Sequence, residues 1–463
     1  MTETSIEQLR RDGRSIPAEF SVGLSTGETL SVRKIFRWLP GKRITGEAEF
    51  AGETVLAKLF ISASSGRHCR REVRGINLLK GAGIPTPEIK FCAGGILITE
   101  FLTPSETLLE RITAAGDDDK IRLLTSAARL IGRMHAAGVV HGDLHSGNFL
   151  CHNDGLLMID GDAVRTTLFG KPARGKRVLE NLSMLLLALP AVWSGAHEEM
   201  IAYYRRENPA MRASVERIRD VTDRLRRDVF AHLVRKSLRS STAFSVRKSF
   251  FRFTSVIRNQ AELFRGVLSS PDRVIETGMR LKTGESSTVA AFELAGRRFV
   301  MKRYNLKSRR HAFLRFWRKS RAWNSWKAGQ LLALEKINTP VPAALIEERV
   351  GPFRRRAWII NDYCDGTLLE TLNPQEEPST EMKRAIVRLF SMLHAERISH
   401  GDMKASNLMW SGGRLYVIDL DVMKQHRFAF TYKKKWDKDR ARFLRNWKAG
   451  TPLRRWLENN LPD

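Results

Sequence analysis

The feature that most constrains this chain is a segment of 24 residues that occurs twice. Residues 141–164 read HGDLHSGNFLCHNDGLLMIDGDAV, and residues 400–423 read HGDMKASNLMWSGGRLYVIDLDVM. In both copies an Asn follows the first Asp by five residues, and the first Asp of Ile-Asp-x-Asp follows it by seventeen. Equal spacing in two copies predicts two related domains, which suits a length of 463 residues.

These residue types at these intervals suit phosphoryl transfer. The reaction needs a carboxylate to accept the proton of the attacking hydroxyl, and an amide oxygen with a second carboxylate to hold Mg²⁺. Asp143 and Asp402 are the predicted proton acceptors. The predicted magnesium ligands are Asn148, Asp160, Asn407 and Asp419. The alternative is that Asp and Asn only make turns in these loops, and the duplication at equal spacing argues against it.

A lysine in an apolar strand precedes each copy. Lys58 lies in the apolar segment TVLAKLF, and Lys302 ends RRFVMK. Such an ammonium could reach nucleotide phosphates, and Glu72, on a helix predicted over 67–80, could pair with Lys58. The alternatives are a surface lysine and a surface glutamate.

A tight turn lies before Lys302. Backbone amides and hydroxyls at Gly284, Ser286, Ser287 and Thr288 could cradle phosphate oxygens, and a simple hairpin is the alternative. In the second half, aligning the proline turns 83–87 and 337–342 puts Lys327 at the position of Glu72, so the helix-borne acid is absent there. In the first half we expect His135, on the helix predicted over 118–137, at the surface.

Charge indicates the class of partner. Seventy-nine Lys and Arg against 50 Asp and Glu give a net charge of +29, which predicts attraction to a phosphate-rich polyanion or an anionic membrane surface. Residues 302–327 are basic, and their aromatic side chains either bind a membrane or glycolipid or pack in the core. These aromatic residues are Phe313, Phe316, Trp317, Trp323 and Trp326.

The order of these segments predicts four regions. Residues 1–30 form a polar N-terminal segment, 31–234 a first domain, 235–270 a basic helical connector, and 271–463 a second domain with an abbreviated helical lobe. The connector is expected to contact a membrane or to be a solvated linker. The four cysteines show no CxxC pair, and the N-terminus lacks the apolar core of a signal peptide. A reducing cytoplasm and no membrane span are therefore expected.

At this point a family resemblance can be stated. Lys58, Glu72, HGDLHSGN and IDGD, with Lys302, HGDMKASN and IDLD, resemble the protein-kinase-like superfamily. The VMKRYN strand, the proline turns and RFLRNW at 442–447 are similar to its bacterial lipopolysaccharide core kinases, the heptose and Kdo kinase group. The likeness covers nearly the whole chain.

The resemblance implies an α+β fold of two tandem bilobal domains, each with an antiparallel-sheet N-lobe and a mostly helical C-lobe. It implies ATP and Mg²⁺ as cofactors, with Lys58 and Lys302 on ATP. The implied activity is phosphorylation of a heptose or Kdo hydroxyl of the lipopolysaccharide inner core or its lipid-linked precursor, at the cytoplasmic face of the inner membrane. One copy could be regulatory.

Three alternatives from other classes stay open at this stage. The first is a catalytically weak pseudokinase pair that acts as a membrane scaffold. The second is a kinase of another small molecule or a protein. A nucleic-acid binder would explain the charge but not the duplicated acidic loops, so no specific nucleic acid is expected.

Overall fold

The computed structural model describes residues 2–11, 17–153, 155–305 and 319–463. The chain divides into two compact units, Met1–Leu189 with Trp193–Leu225, and Pro190–Val192 with Arg226–Asp463. Each unit begins with a seven-stranded sheet and continues into helices and two small sheets. This organisation confirms the predicted α+β class.

The first unit contains twelve described strands and seven described helices, the last of which extends past the unit boundary. Its strands are Thr2–Thr4 (β1), Phe20–Gly23 (β2), Thr29–Leu39 (β3), Arg43–Phe50 (β4), Glu53–Phe60 (β5), Ile89–Ala93 (β6), Ile96–Glu100 (β7), Glu106–Thr107 (β8), Val139–His141 (β9), Phe149–His152 (β10), Gly155–Met158 (β11) and Val164–Thr166 (β12). Its helices are Ile6–Arg11 (α1), Ser65–Gly81 (α2), Leu108–Ala114 (α3), Asp117–Ala136 (α4), Lys176–Leu186 (α5), Ser194–Glu207 (α6) and Val215–Lys236 (α7).

The large sheet of the first unit has the order β1-β2-β3-β4-β5-β7-β6. Its pairs are antiparallel except β1 with β2. Period-two alternation places Val55, Ala57 and Leu59 of β5 in the core, whereas Lys58 points to the opposite face. Lys58 is paired with Thr45 of β4 and Leu97 of β7, so its strand is held on both edges.

Helix α2 packs backbone against backbone on the turn that follows β11. A Cβ on Gly75 of α2 would lie 1.9 Å from the carbonyl oxygen of Gly161, and a Cβ on Gly161 would lie 2.4 Å from the carbonyl oxygen of Glu72. Only glycine at both positions permits this approach. The contact places the side chain of Glu72 beside the Ile-Asp-x-Asp segment.

The second unit repeats this plan. Its strands are Phe244–Lys248 (β13), Arg252–Ile257 (β14), Met279–Thr283 (β15), Ser287–Leu294 (β16), Arg297–Tyr304 (β17), Pro342–Val350 (β18), Phe353–Asp362 (β19), Thr367–Leu368 (β20), Ile398–Ser399 (β21), Leu408–Ser411 (β22), Arg414–Val417 (β23) and Lys424–Gln425 (β24). Its further described helices are Arg265–Ser269 (α8), Pro271–Thr277 (α9), Arg321–Leu334 (α10), Thr380–Ala395 (α11), Ala429–Leu444 (α12) and Pro452–Asn460 (α13). The large sheet has the order β13-β14-β18-β19-β17-β16-β15.

The predicted helical connector over 235–270 is wrong. Residues 244–257 form the hairpin β13–β14, and β14 pairs with β18 as an integral part of the second sheet. Strand β14 is buried from Phe253 to Val256, and these two side chains pack in different core clusters. Tertiary pairing with a distant strand, which local composition does not report, decides this segment.

The tryptophans of the basic stretches belong mainly to the core. Trp326 of α10 is fully buried and donates its indole N–H to the hydroxyl of Ser237 at 2.9 Å. Trp436 of α12 is also buried. The core alternative therefore holds for Trp326, and Trp323 is half-buried against the same cluster. Phe313, Phe316 and Trp317 lie outside the described residues.

Within the described ranges, none of the helices combines the length and the apolar composition that crossing a bilayer requires. The four cysteines are free thiols, and the sulfur atoms of Cys69 on α2 and Cys92 on β6 lie 2.7 Å apart.

The glycine contact generates a test. In Gly75→Ala the new methyl group meets a backbone oxygen that cannot rotate away, so helix α2 must shift. We expect a loss of roughly 1–3 kcal/mol in the free energy of unfolding, as for other overpacked sites. Gly81→Ala, in the same helix with open space around its Cβ position, is the matched control. Urea denaturation of both variants measures the difference, and equal stability would contradict the close packing.

Candidate active sites

A buried ion pair lies at the centre of the first unit. The ammonium of Lys58 on β5 lies 2.5 Å from Oε1 of Glu72 on α2 and 3.6 Å from Oδ1 of Asp160. Glu72 has 0 % exposure, and the amide of Gly161 donates a hydrogen bond to its Oε1 at 3.2 Å. The sheet, helix α2 and the Ile-Asp-x-Asp segment therefore meet at one cation.

Asp160 is held in its charged form. Burial by itself would raise the pKa of Asp160, but the ammonium of Lys58 and the guanidinium of Arg43 hold that pKa below its usual value. Arg43 lies 3.7 Å from Oδ1 of Asp160. The backbone of Asp160 is left-handed, with φ of 74°, which an Asp tolerates better than most residues. A charged carboxylate in this conformation suits a metal ligand.

His141 connects the two ends of the repeated segment. Its Nε2 donates to the carbonyl oxygen of Asp160 at 3.0 Å, while its Nδ1 accepts from the amide of Asp143 at 3.1 Å. These roles require the neutral ring, and burial lowers the pKa of His141 in agreement with them. Asp143 and Asp160, predicted to work together, are thus joined through one imidazole.

The remaining first-copy residues flank this link. Asn148 is buried, and its Oδ1 accepts from the amide of His145 at 2.8 Å. Asp143 is exposed, and its carboxylate makes no hydrogen bond or ion pair within the described part of the chain. An unengaged carboxylate at this point is available to the hydroxyl of an acceptor.

A buried polar network supports the loop from below. His135 of α4 accepts from the hydroxyl of Tyr204 at 2.7 Å and donates to Oδ1 of Asn181 at 3.0 Å. Asn181 in turn donates to the carbonyl oxygen of His141 at 2.8 Å. The prediction that His135 lies at the surface is wrong, because it is fully buried. Its helical spacing gave no sign of partners on α5 and α6.

The second unit pairs its lysine differently. The ammonium of Lys302 on β17 is hydrogen-bonded directly to Oδ1 of Asp419 and lies 3.8 Å from Oδ2 of Asp421. Arg321 of α10 forms an ion pair with Asp421. Burial would raise the pKa of Asp419, but Lys302 lowers it below its usual value.

The helix of the second unit carries no acid for this lysine, since α10 contains no Asp or Glu. The residue of the second unit that is equivalent to Glu72 was predicted less accurately. The capping bonds after α2 and α10 match when Ala82 is aligned with Glu335, and this alignment places Ser325 at the position of Glu72. Lys327 lies two residues further on, so its predicted equivalence is wrong. Ser325 is bonded to the hydroxyl of Tyr304 at 2.8 Å.

Asp402 is engaged by cations, unlike Asp143. Arg442 of α12 lies 2.5 Å from its Oδ1, and Lys404 lies 3.4 Å from its Oδ2. Asn407 donates to the backbone oxygen of Asp402 at 2.8 Å. His400 links the amide of Asp402 to the carbonyl oxygen of Ile418, whereas His141 reaches the carbonyl oxygen of Asp160, one position further along the repeated segment.

Sequence reasoning missed three side chains at these sites. Arg43 follows a glycine turn and gave no signal beyond its charge. Asp439 and Arg442 lie on α12, and both oxygens of the buried Asp439 accept from the amide of Gly401, at 3.0 and 2.9 Å. The RFLRNW likeness at 442–447 marked this region without indicating its role.

The predicted phosphate turn is a closed hairpin. The amide of Gly284 donates to the carbonyl oxygen of Ser287 at 3.1 Å, and Ser287 is buried in β16. Asn305 caps the turn through the oxygens of Gly284, Ser286 and Thr288. The amide of Gly284 is thus engaged within the turn and the hydroxyl of Ser287 is buried, so the simple hairpin describes this segment better.

The first site fits a magnesium nucleotide. Oδ1 of Asp160 is buried and accepts no hydrogen bond from the described residues, although Lys58 and Arg43 lie within 3.7 Å. Mg²⁺ is commonly held by one or two carboxylates plus substrate phosphates. The described residues contain no cluster of three His, Cys, Asp or Glu side chains that could hold a metal alone. In the second site the predicted metal ligand, Asp419, already contacts Lys302.

Two family models match this chain. Residues 42–166 match the model described as RIO domain, and residues 267–459 match the model described as Lipopolysaccharide kinase (Kdo/WaaP) family. Each matched range contains one candidate site. The two matches confirm the predicted arrangement of two kinase-like domains in tandem, and kinase-like domains generally use ATP and Mg²⁺.

Curated relatives match a shorter part of the chain. Three are named Probable bifunctional tRNA threonylcarbamoyladenosine biosynthesis protein. The match from Methanocorpusculum labreanum is 29 % identical over 119 residues, which is 23 % of this chain and 20 % of the relative. The match from Methanothermobacter thermautotrophicus is 34 % identical over 95 residues, and that from Methanoculleus marisnigri 33 % over 91, each 20 % of this chain and 16 % of the relative. The chain therefore spans a fifth or less of these relatives.

A solved structure titled "WaaP in complex with acyl carrier protein" also matches. It is 24 % identical, with a TM-score of 0.31, and the match covers 44 % of this chain and 86 % of that one.

The buried histidine predicts a dependence on pH. Burial lowers the pKa of His135 to about 4, below the ordinary value of 6.5, so the unfolded chain binds the proton first as pH falls. Stability from this group is present above pH 6.5 and is lost between about 6.5 and 4, by roughly 3 kcal/mol. The advantage of the wild type over His135→Gln in hydrogen exchange of α4 should shrink over this range. A difference that stays constant with pH would contradict the buried neutral ring.

The ion pair predicts the effect of Glu72→Gln. The variant keeps an oxygen for the amide of Gly161 but removes the charge that positions Lys58. We expect MgATP turnover by the first domain to fall on the order of 10- to 100-fold. The assay is performed on the full chain with Asp402→Asn, so that the second domain does not contribute. Glu88→Gln, which loses only the surface pair with Lys80, is the control and should retain full turnover.

Proposed function

Because this chain carries a RIO-like and a Kdo/WaaP-like kinase domain in tandem, we propose that it is an ATP-dependent phosphotransferase of the lipopolysaccharide inner core. The acceptor is a hydroxyl of heptose or Kdo, on the core itself or on its lipid-linked precursor. The family match over 267–459 supports this class of acceptor, and on that basis we place the acceptor in the second domain. The observation that supports the chemistry is the joining of a lysine strand, an Asp–Asn loop and an Ile-Asp-x-Asp segment in each unit.

In this proposal each repeated residue has one task. Lys58 and Lys302 contact nucleotide phosphates, and Asn148 with Asp160, and Asn407 with Asp419, hold Mg²⁺. Asp143 or Asp402 accepts the proton of the hydroxyl whose oxygen bonds to the γ-phosphorus, while the bond from that phosphorus to the oxygen of departing ADP breaks. Bound Mg²⁺ neutralises charge on the phosphates.

The two copies are unequal in ways that favour separate tasks. The first has the Lys58–Glu72 pair and an unengaged Asp143, whereas the second has Lys302 on Asp419 and Asp402 paired with Arg442 and Lys404. We assign sugar phosphorylation to the second copy and a regulatory or independent kinase activity to the first. ATP binding without any transfer would favour a pseudokinase scaffold instead.

We also propose that the protein works on the cytoplasmic face of the inner membrane. The net charge of +29 favours an anionic lipid surface. The tip of hairpin β13–β14 supports contact there, since Phe250 and Phe251 are 60 % and 67 % exposed and follow the exposed cations Arg247 and Lys248. An apolar tip beside cations is typical of interfacial binding.

A second candidate function concerns the first domain. Its RIO match, together with the relatives in tRNA modification, favours an acceptor other than lipopolysaccharide, such as a protein. A kinase assay of the Asp402→Asn protein, with a cell extract and labelled ATP, would show such an acceptor.

The proposed function predicts the effect of removing both bases. Asp143→Asn with Asp402→Asn should lower phosphate transfer to inner-core sugar at least about 100-fold, because the attacking hydroxyl loses its proton acceptor. Mass spectrometry of lipopolysaccharide cores from cells that carry this variant should show the loss of one phosphate. Asp118→Asn with Asp365→Asn, two exposed carboxylates in the two domains, is the control. Full transfer by the first variant would refute the enzymatic proposal.

A further inference from the structure

A basic groove lies beside the second candidate site. Helices α12 and α13 line an open cavity of about 1010 Å³, at the upper end of the range for ligand sites, roughly 300–1,000 Å³. Six of its lining residues are Lys or Arg, three are acidic, and only Ala441 and Leu444 are apolar. An apolar small molecule would find little to contact here, whereas an anionic polar ligand would.

Part of this charge is structural. Arg440 donates to the carbonyl oxygen of Glu458 at 3.0 Å, and Arg454 donates to the carboxylate of Glu458 at 2.7 Å and to the carbonyl oxygen of Trp447 at 3.2 Å. The bond of Arg440 joins α12 to α13, and the bonds of Arg454 lie within α13 and reach back to the segment that precedes it. The side chains of Arg440 and Arg454 are therefore already hydrogen-bonded within the protein.

Other cations in the groove are unengaged. The side chains of Lys438 and Arg445 are exposed and make no ion pair or hydrogen bond with any residue that the structure describes. They lie seven residues apart, Lys438 on α12 and Arg445 at the residue that caps its C-terminus, and a separation of about two turns places them on the same side. Exposed cations on one face can contact two anionic groups of one ligand.

Arg442 connects the groove to the chemistry. It lines the cavity, and its Nη1 also lies 2.5 Å from Oδ1 of Asp402. Lys404 lies beside the other oxygen, so both carboxylate oxygens of Asp402 have a cationic partner. Asp143 of the first domain has no such partner among the described residues, so this arrangement distinguishes the second domain.

We propose that this groove, defined by Lys438, Arg442 and Arg445, binds the phosphate- or carboxylate-bearing part of the acceptor sugar. Arg442 then divides its hydrogen bonds between the bound anion and Asp402, which frees a carboxylate oxygen for the acceptor hydroxyl. The proposal rests on the proposed function for the identity of the acceptor. It adds the location of the acceptor site and the reason that an anionic acceptor would be preferred.

The binding experiment uses the full chain and a soluble probe, the inner-core oligosaccharide released from lipopolysaccharide by complete deacylation, which keeps its Kdo carboxylates. Lys438→Glu with Arg445→Glu should raise the dissociation constant for this oligosaccharide by about tenfold or more, because two attractions become repulsions. Lys434→Glu with Lys435→Glu makes the same charge change on the same helix, at exposed positions outside the groove, and should change binding by less than about twofold. Isothermal titration calorimetry measures both, and thermal unfolding checks that each variant is folded.

The outcomes separate the groove from the activity. Equal weakening by both double variants would overturn the groove, since only overall charge would then matter. Phosphatidylglycerol vesicles that bind through Lys438 and Arg445 and displace the oligosaccharide would also overturn it, in favour of a membrane surface. If phosphate is transferred but the KM for the oligosaccharide is unchanged by Lys438→Glu with Arg445→Glu, the proposed activity is supported and the groove is refuted as the acceptor site. If the oligosaccharide binds as expected but no phosphate is transferred, the groove is supported as a binding site and the proposed activity is refuted.

Discussion

A lysine ammonium removed from water must have a carboxylate partner, and this requirement organises both units. The side chains of Lys58 and Lys302 are each 13 % exposed on a central strand, where an unpaired charge would be costly. In the first unit Glu72 satisfies the charge, and the glycine contact between α2 and Gly161 brings that acid to the cleft. In the second unit α10 has no acid, so Lys302 bonds to Asp419. The same physical need therefore leaves the predicted metal ligand Asp160 without a direct hydrogen bond to the lysine in one copy, and bonds the predicted ligand Asp419 to the lysine in the other.

The helices after the repeated segment adapt to this difference. In the first unit a neutral network of His135, Asn181 and Tyr204 holds the loop that carries Asp143. In the second unit a charged helix does this work, because Asp439 binds the amide of Gly401 and Arg442 binds Asp402. A neutral support leaves the carboxylate of Asp143 open, whereas a charged support couples Asp402 to the groove beside it. Two copies of one motif thus acquire different electrostatic surroundings.

Much of the candidate site could be predicted from local sequence. The spacing of Asp, Asn and Ile-Asp-x-Asp is set by the length of a loop and two short strands, so identical spacing implies a similar backbone path. In both units a histidine links the Asp–Asn loop to the Ile-Asp-x-Asp segment. The pairing of Lys58 with Glu72 also followed from the strand and helix patterns. The prediction of a helical connector over 235–270 was wrong because the same basic and aromatic residues suit a helix or a strand. Only the pairing of β14 with β18 decides between the two. The equivalence of Lys327 with Glu72 is wrong because it equates the last prolines of the two turns, Pro87 and Pro342, a register two residues away from that of the capping bonds.

The sequence by itself determined that there are two domains and that each carries a lysine strand and one copy of the acidic loop. It also determined that the helix after the lysine strand of the second domain lacks an acid. It did so because these properties depend on residue type and on spacing along the chain. Only the tertiary structure decided which carboxylate each lysine meets, that His135 is buried, and that Arg442 approaches Asp402 from a helix forty residues away. Those contacts are made between segments distant in the chain, and the packing of the whole fold selects among partners that no local pattern ranks.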